Sequence, residues 1–222
     1  MCFSPTASFV TAGITGTIGL VCLARVRRPN ELLLAATPIL FAIQQSIEGS
    51  LWLVLPSSQT GPAATGLTLL FLLFALVLWP VYAPVTVMLV EPDRDRRGFM
   101  LVGLAAGVGV AAYLLWTILT RPHGACILDG HIVYVTEQRH TALVGAAYLL
   151  ASGLPLLMSS RRAISVFGAI VLVGCVTAYL AYWRGFASVW CFFAAAASVV
   201  LLGHFEWARW RQSRRANVLA AG

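Results

Sequence analysis

The sequence predicts an all-α membrane protein, a seven-transmembrane helix bundle that carries a short extracellular β-hairpin. Two compositional observations predict this fold class: 59% of the 222 residues are hydrophobic and only 10% are charged. Soluble domains carry roughly 25% charged residues, so this chain has too few charges to cover a globular surface in water. The same composition excludes a disordered chain and a disulfide-dense secreted scaffold. The third observation is the spacing of the apolar segments.

A helix that crosses a bilayer needs roughly 20 mostly apolar residues, and seven segments of the chain satisfy this requirement. Pro29 is expected to open the second segment and Gly98 the fourth, while Pro56 closes the second. The approximate bounds of the segments are 5–24, 32–55, 65–90, 98–120, 140–158, 163–183 and 187–207. We therefore predict a single transmembrane domain over residues 1–207, followed by a basic cytoplasmic tail over residues 208–222.

The orientation of the bundle follows from its arginines, which account for all 15 basic residues. Three of them, Arg121, Arg139 and Arg184, lie on one side of the predicted segments. The other twelve lie on the opposite side: Arg25, Arg27, Arg28, Arg94, Arg96, Arg97, Arg161, Arg162, Arg209, Arg211, Arg214 and Arg215. The positive-inside rule places the larger group in the cytoplasm, which puts the N-terminus outside and the C-terminus inside the plasma (inner) membrane. Because topology accounts for the net charge of +7, we predict a lipid bilayer but no nucleic acid as a partner.

The connection over residues 121–139 is longer than the others and has a pattern of its own. Asp129-Gly130 suits the positive φ values of a tight hairpin turn, and short apolar stretches at 127–128 and 132–135 flank it. An isolated two-stranded hairpin is only marginally stable in water. We therefore expect a hairpin lid that packs over the outer ends of the helices.

Two prolines, Pro80 and Pro84, lie close together in the third segment, within WPVYAP. A proline removes a backbone donor and crowds the preceding turn, so we predict a kink in this helix. The kink is either a hinge for motion or a static feature.

Glu48 is the one carboxylate deep within a predicted span, where a charge costs ~2.5–3.5 kcal/mol even on a lenient insertion scale. Gln44, Glu48 and Trp52 recur every four residues and share one helix stripe, and Gln45 lies on the adjoining face. We interpret this stripe as one wall of an outward-facing polar pocket that binds a small ligand. Side chains at a similar depth on the last three spans complete the predicted ligand-binding set: His140, Tyr182 and Cys191. The alternative is a structural knot of hydrogen bonds, in which a protonated Glu48 is satisfied by glutamine and tyrosine side chains.

The predicted topology places Cys2 and Cys126 outside, where disulfides can form. We consider them a disulfide candidate that would join the N-terminus to the lid, the alternative being two unrelated thiols. Three histidines are also on the outer side, namely His123, His131 and His140. Together with Cys126 they offer metal-type ligands, but no metal-type spacing supports such a site, so none is predicted.

Several functional classes are excluded or disfavoured by missing residues. Retinal needs a lysine for its Schiff base, and the chain contains none, which excludes a retinal opsin. The chain has no G-x-S-x-G, H-E-x-x-H or Walker motif. Intramembrane hydrolases of the three-histidine type need metal-binding histidines on several spans, whereas only His140 and His204 lie near one. The sequence identifies no cofactor and no oligomeric state.

Three segments carry a resemblance to a known family: MCFSPTASF at 1–9, QQSIEGSLW at 44–52 and WPVYAP at 79–84. They resemble an uncharacterised family of bacterial integral membrane proteins, a domain of unknown function. Its members open Met-Cys-Phe-Ser and carry the same glutamine–glutamate–tryptophan span, although Pro5 stands here where alanine is expected. The resemblance covers the whole chain and implies the topology, but no reaction.

Three functional hypotheses follow from these residues. The first is a ligand-binding protein of the sensor or transporter kind, in which Gln44, Gln45 and Glu48 contact the ligand. The second is a membrane-embedded enzyme that uses Glu48 as an acid or base together with a metal or a thiol, Cys2 or Cys191. Burial would raise the pKa of such a carboxyl toward the range useful in catalysis. The third is a structural or partner-binding membrane subunit without a site.

The predicted orientation can be tested with reporters fused after Gly222. Green fluorescent protein at this position should fluoresce and alkaline phosphatase should be inactive, because the twelve-to-three arginine distribution places the C-terminus in the cytoplasm. An active phosphatase fusion would show that the orientation is inverted.

Overall fold

In the residues that the structure describes, 4–137, 141–181 and 186–220, seven helices are long and apolar enough to cross a membrane. This computed structural model confirms the predicted number of spans. In chain order the elements are α1 (Pro5–Ala24), a 3-10 turn (Pro29–Glu31), α2 (Leu32–Val54), α3 (Pro62–Leu72), α4 (Trp79–Val90), α5 (Arg94–Thr120), β1 (His123–Leu128), β2 (His131–Thr136), α6 (Thr141–Met158), α7 (Arg162–Ala181) and α8 (Phe186–Ala220). The third span, Pro62–Val90, consists of α3, a π-helical turn over Leu73–Leu78, and α4.

Helix α5 begins one turn earlier than the sequence prediction, at Arg94 instead of Gly98. The reason is the side chain of Asp93, which accepts hydrogen bonds from the backbone N–H groups of Asp95 at 2.9 Å and Arg96 at 3.2 Å. These groups have no partner within the helix, and an N-cap aspartate satisfies them. Polar residues therefore extend this helix beyond its apolar segment.

The prolines of WPVYAP alter the helix that precedes them. The proline ring at Pro80 has no N–H and crowds the carbonyl four residues earlier, which belongs to Leu76. The chain forms the wider π-helical turn over Leu73–Leu78 at this place, and α4 continues regularly through Pro84. The expected irregularity is therefore a π-helical turn, and its role as a hinge stays a prediction.

Apolar side chains form two buried clusters and also cover the outside of the bundle. One cluster joins α1, α2, α4, α7 and α8 through residues that include Ile18, Leu34, Val87, Ile164 and Leu201. The other lies beneath the hairpin and includes Leu51, Leu55, Phe71, Ala125 and Ile132. On the outer surface, Leu143 is 72% exposed and Leu180 is 77% exposed. Such exposure is unfavourable in water but costs nothing against lipid tails, which are as apolar as leucine.

The predicted hairpin is confirmed, with longer strands than expected. Its turn lies at Asp129 and Gly130, whose φ angles are 51° and 74°, as a tight hairpin turn requires. Strand β1 contacts α3 and β2 contacts α8. The side chain of Ile132 is fully buried, and the ring of Tyr134 stacks on Phe71 with centroids 4.1 Å apart. The hairpin therefore packs on helix ends, and we call this end of the bundle the hairpin end.

The opposite end, which we call the arginine-rich end, contains the connections α1–α2, α4–α5 and α6–α7. Glu91 joins two of them, because its Oε2 accepts hydrogen bonds from Ser159 Oγ at 3.0 Å and from the backbone N–H of Ser160 at 2.8 Å. Burial alone would raise the pKa of the Glu91 carboxyl. The hydrogen bonds from Ser160, Asp93 and Ser159 outweigh it and hold this pKa below its usual range. Glu91 therefore stays ionised at neutral pH and fastens the two connections together.

Helix α8 does not end with its apolar segment but continues to Ala220. Along this extension the guanidinium of Arg211 lies 4.3 Å from the ring centroid of Trp207, and that of Arg214 lies 4.3 Å from Trp210. Cation–π contacts at exposed sites are worth about 0.5–1 kcal/mol each. The described part of the basic tail is therefore a helix whose arginines pack on tryptophans one turn earlier.

The close contact of α4 with α5 predicts different effects for two glycines of α5. A Cβ atom added at Gly107 would collide with the carbonyl oxygen of Pro80, whereas one added at Gly109 meets open space. Gly107→Ala should therefore lower the stability of the protein in detergent by about 1–3 kcal/mol. Gly109→Ala should leave it unchanged or raise it by up to about 1 kcal/mol, because alanine favours helices. Thermal unfolding of both variants tests this, and equal stabilities would contradict the contact.

Candidate functional site

The amide of Gln44 connects three helices inside the bundle. Its side chain is completely buried. Trp79 Nε1 on α4 donates a hydrogen bond to Gln44 Oε1 at 2.8 Å, and Gln44 Nε2 donates to Cys191 Sγ on α8 at 3.0 Å. One turn earlier on α2, the ring of Phe41 stacks on Trp79 with centroids 4.2 Å apart. The predicted site residues Gln44 and Cys191 are thus in direct contact.

Glu48 lies one turn further along α2, toward the hairpin end. Gln45 Nε2 donates a hydrogen bond to Glu48 Oε2 at 3.3 Å, and the two side chains are 1% and 0% exposed. This burial confirms that Glu48 faces the interior of the bundle and not the lipid. The next residue, Gly49, has no side chain, and the ring of Phe9 on α1 occupies the space where a Cβ would lie. Glu48 therefore lies beside a close contact of α1 with α2.

Trp52 extends the stripe to the hairpin. Its half-buried ring packs against the cluster beneath the hairpin, which also involves Ile132 and Tyr134. Two buried polar atoms of this region, Trp52 Nε1 and Gln45 Oε1, have no hydrogen-bond partner among the described residues. An unsatisfied buried polar group costs about 1–3 kcal/mol, so this part of the stripe retains hydrogen-bonding capacity for a further group.

A cavity of about 140 Å³ lies between α2, α4, α6, α7 and α8. Its lining is mostly apolar and rich in aromatic rings, including Phe41, Trp79, Tyr148 and Trp190. Cys191 lies on its wall, so both hydrogen-bond partners of Gln44 border the cavity. Among the described residues, Glu48, Gln45 and Trp52 do not line it. Along α2 the cavity thus lies further from the hairpin end than the predicted pocket, and Gln44 lies between the two.

The aromatic groups of the cavity are fixed by hydrogen bonds to backbone carbonyls. The hydroxyl of Tyr148 donates to the carbonyl of Ala75, in the π-helical turn, at 2.6 Å. Trp190 Nε1 donates to the carbonyl of Val171 at 3.1 Å. The rings of Tyr148 and Trp190 meet edge to face with centroids 5.6 Å apart. These bonds hold polar atoms away from the cavity and present ring faces and edges to it.

Sequence reasoning did not assign three aromatic residues to the site: Trp79, Tyr82 and Tyr148. WPVYAP was interpreted for its prolines, although Trp79 and Tyr82 are three residues apart and therefore share a helix face. That spacing could have indicated a functional face on the third span. Tyr148 has no such signal in the sequence, because nothing around it distinguishes it from other residues of an apolar span.

Three predicted residues, Cys2, His140 and Tyr182, lie outside the described residues. The Cys2–Cys126 disulfide therefore stays a prediction, with Cys126 half-buried on β1. Within the described part of the chain, no three histidine, cysteine, aspartate or glutamate side chains converge to hold a metal ion.

These features define a multi-pass helical membrane protein with amide and carboxyl groups buried inside its bundle. The sequence model of a family of unknown function, DUF6629, matches residues 1–218. The chain belongs to this family, in agreement with the resemblance of its opening and of its second and third spans. No curated protein and no solved structure matches the chain.

The contact between Gln45 and Glu48 leads to a prediction for two substitutions of Glu48. Glu48→Gln should keep near wild-type stability, because the new amide oxygen can still accept the hydrogen bond from Gln45. Glu48→Leu should lower the stability by about 1–3 kcal/mol, because it leaves that buried donor unsatisfied. Thermal unfolding of the two variants in the same detergent measures the difference. A stable Glu48→Leu protein would contradict a structural contribution of this hydrogen bond.

Proposed function

We propose that this membrane protein binds a small amphipathic molecule inside its helix bundle, as a sensor or transporter does. The apolar part of the molecule occupies the cavity between α2, α4, α6, α7 and α8. Its polar group points toward the hairpin end, to Gln44 and Glu48. The observation that carries this proposal is the aromatic cavity of about 140 Å³ directly beside the buried amide of Gln44.

Helix α2 offers one continuous stripe to such a molecule. Leu34, Thr37 and Phe41 line the cavity. Gln44 and Glu48 follow them at intervals of three and four residues, and residues so spaced share one helix face. The stripe is therefore mostly apolar along the cavity and polar beyond it, in the order that an amphipathic molecule requires.

The polar end of the stripe provides groups for hydrogen bonding. Gln45 Oε1 is a buried acceptor and Trp52 Nε1 a buried donor, both without a partner among the described residues. A hydroxyl or amide on the ligand that donates to Gln45 or accepts from Trp52 would recover part of the cost of burying these atoms. Glu48, buried beside them, adds a carboxyl group that can accept a hydrogen bond or, when protonated, donate one.

The size of the cavity limits the apolar part of the ligand. A dry cavity of about 150 Å³ lined by apolar side chains admits benzene, so about 140 Å³ accommodates a ring or a short branched chain. A complete lipid does not fit within it. Edge and face contacts with Trp79, Tyr148 and Trp190 favour an aromatic or cyclic group.

The distribution of arginine adds an orientation to this proposal. If the hairpin end faces outward, as the positive-inside rule predicts, Gln44 and Glu48 lie in the outer half of a plasma-membrane protein. The polar group of the ligand then points to the outside, and the hairpin covers that end of the bundle as a lid.

Two alanines of α8 allow a matched test with para-bromobenzyl alcohol, an amphipathic aromatic probe whose bromine quenches tryptophan fluorescence on contact. Ala194 lines the cavity, whereas Ala196 is exposed on the outside. In lipid nanodiscs the wild-type protein should show saturable quenching, because Trp79 and Trp190 border the cavity. Ala194→Leu fills the cavity and should weaken the saturable binding at least tenfold, which corresponds to about 1.4 kcal/mol. Ala196→Leu should behave as the wild type.

Partition of the probe into lipid produces quenching that does not saturate, and it affects all three proteins equally. Quenching of the wild-type protein without saturation, or saturable quenching that survives in Ala194→Leu, would contradict the proposal.

A further inference from the structure

A second cavity, of about 220 Å³, lies at the arginine-rich end of the bundle. Its lining comes from the end of α1, the α1–α2 connection, the residue before α7, and α8. Its charged lining consists of five arginines and one carboxylate: Arg25, Arg27, Arg28, Arg161, Arg209 and Glu31. This cavity is separate from the aromatic cavity and has the opposite chemical character.

Carboxylates compensate only part of this positive charge. Glu206 accepts a hydrogen bond from Arg25 Nε at 2.8 Å and lies 3.8 Å from Arg209 Nη1. Glu31 lies 3.9 Å from Arg161 Nη1, and Arg161 Nε also donates to the carbonyl of Val90 at 2.8 Å. Five arginines set against two carboxylates leave an excess of three positive charges around the cavity.

Arg27 and Arg28 carry most of this excess. Among the described residues, neither of them forms an ion pair or a side-chain hydrogen bond. Both lie on the short connection between α1 and α2, and Arg28 is held extended, with φ −124° and ψ 136°, before the first residue of the 3-10 turn, Pro29. A residue that precedes proline is restricted to such angles. The side chain of Arg28 therefore extends from a constrained backbone.

Topology alone does not explain this arrangement. The positive-inside rule requires arginines at one end of the bundle, but it does not require them to converge on one cavity. Arg94 and Arg162 lie at the same end and are exposed, and they do not contribute to the cavity lining. The convergence of arginines from four separate segments is therefore a property of the fold.

We propose that this cavity is a binding site for a phosphate group, carried either by a lipid headgroup or by a soluble phosphate compound. Guanidinium groups form paired, charge-assisted hydrogen bonds with phosphate oxygens. Arg27 and Arg28 provide the uncompensated charge, and Arg25 and Arg161, already fixed by Glu206, Glu31 and Val90, provide preorganised donors. The cavity of about 220 Å³ is large enough for a phosphate group. For comparison, one water molecule needs only about 10–15 Å³ of such space.

The test compares the wild-type protein with Arg27→Gln/Arg28→Gln and with a control, Arg94→Gln/Arg162→Gln, which removes the same charge at the same end. Thermal unfolding is measured in a neutral detergent with increasing inorganic phosphate, at constant ionic strength adjusted with chloride. A second series uses nanodiscs of phosphatidylcholine with or without phosphatidic acid. A ligand that binds only the folded state raises its stability in a concentration-dependent way.

We expect phosphate or phosphatidic acid to stabilise the wild-type protein and the control. In Arg27→Gln/Arg28→Gln the apparent affinity should fall at least tenfold, and Arg27→Lys/Arg28→Lys should restore part of it, because lysine keeps the charge but not the paired geometry. Stabilisation by phosphatidic acid alone identifies a lipid headgroup, and equal stabilisation by inorganic phosphate identifies a soluble compound. No stabilisation of the wild type by either probe, or the same loss of affinity in the control, would overturn the proposal.

Discussion

Within hydrocarbon, a polar side chain has no water as an alternative partner, and this constraint acts most strongly on the amide of Gln44. Its oxygen accepts from Trp79 and its nitrogen donates to Cys191, so α2, α4 and α8 must meet at one depth and with one rotation. Interhelical hydrogen bonds in membranes are worth only about 0.6–2 kcal/mol each. Their effect on the choice of helix arrangement is larger, because any other rotation of α4 would leave the Trp79 donor buried and unpaired. Satisfying this amide thus places Trp79 and Cys191 on the cavity wall.

Backbone groups impose the same constraint on the third span. Pro80 perturbs the regular helix before it, and the resulting π-helical turn lies at membrane depth, where every carbonyl needs a partner. The hydroxyl of Tyr148 donates to one of these carbonyls, at Ala75, and this bond brings the tyrosine ring into the cavity wall. Gly107 has no side chain, and α5 can therefore approach the carbonyl of Pro80. The irregular third span and the position of Tyr148 in the cavity wall are thus linked by one hydrogen bond.

The sequence predicts the features that local chemistry determines. Seven apolar segments specify the spans, Asp129-Gly130 specifies the hairpin turn, and the one carboxylate deep within a span is buried. Helix α5 starts one turn before the approximate bound at Gly98, because hydropathy does not register the cap at Asp93. The aromatic cavity was missed for a deeper reason. In a soluble protein a polar face shows how a helix is rotated, but most spans here are apolar on all faces, so only the contacts between distant helices determine the rotation of Tyr148.

The carboxylates of the arginine-rich end explain why positive charge remains at one place there. Glu91 is used for the α4–α5 and α6–α7 connections through Ser159 and Ser160, and Glu206 joins α8 to Arg25. Each of these acids is held by a structural contact between segments and is therefore not available to Arg27 and Arg28. Because the bundle packs α8 and the start of α7 around the α1–α2 connection, its uncompensated arginines, although exposed, line one shared cavity. Arginines that converge on one cavity add their fields, so the arrangement attracts an anion more strongly than the same arginines would if they were dispersed.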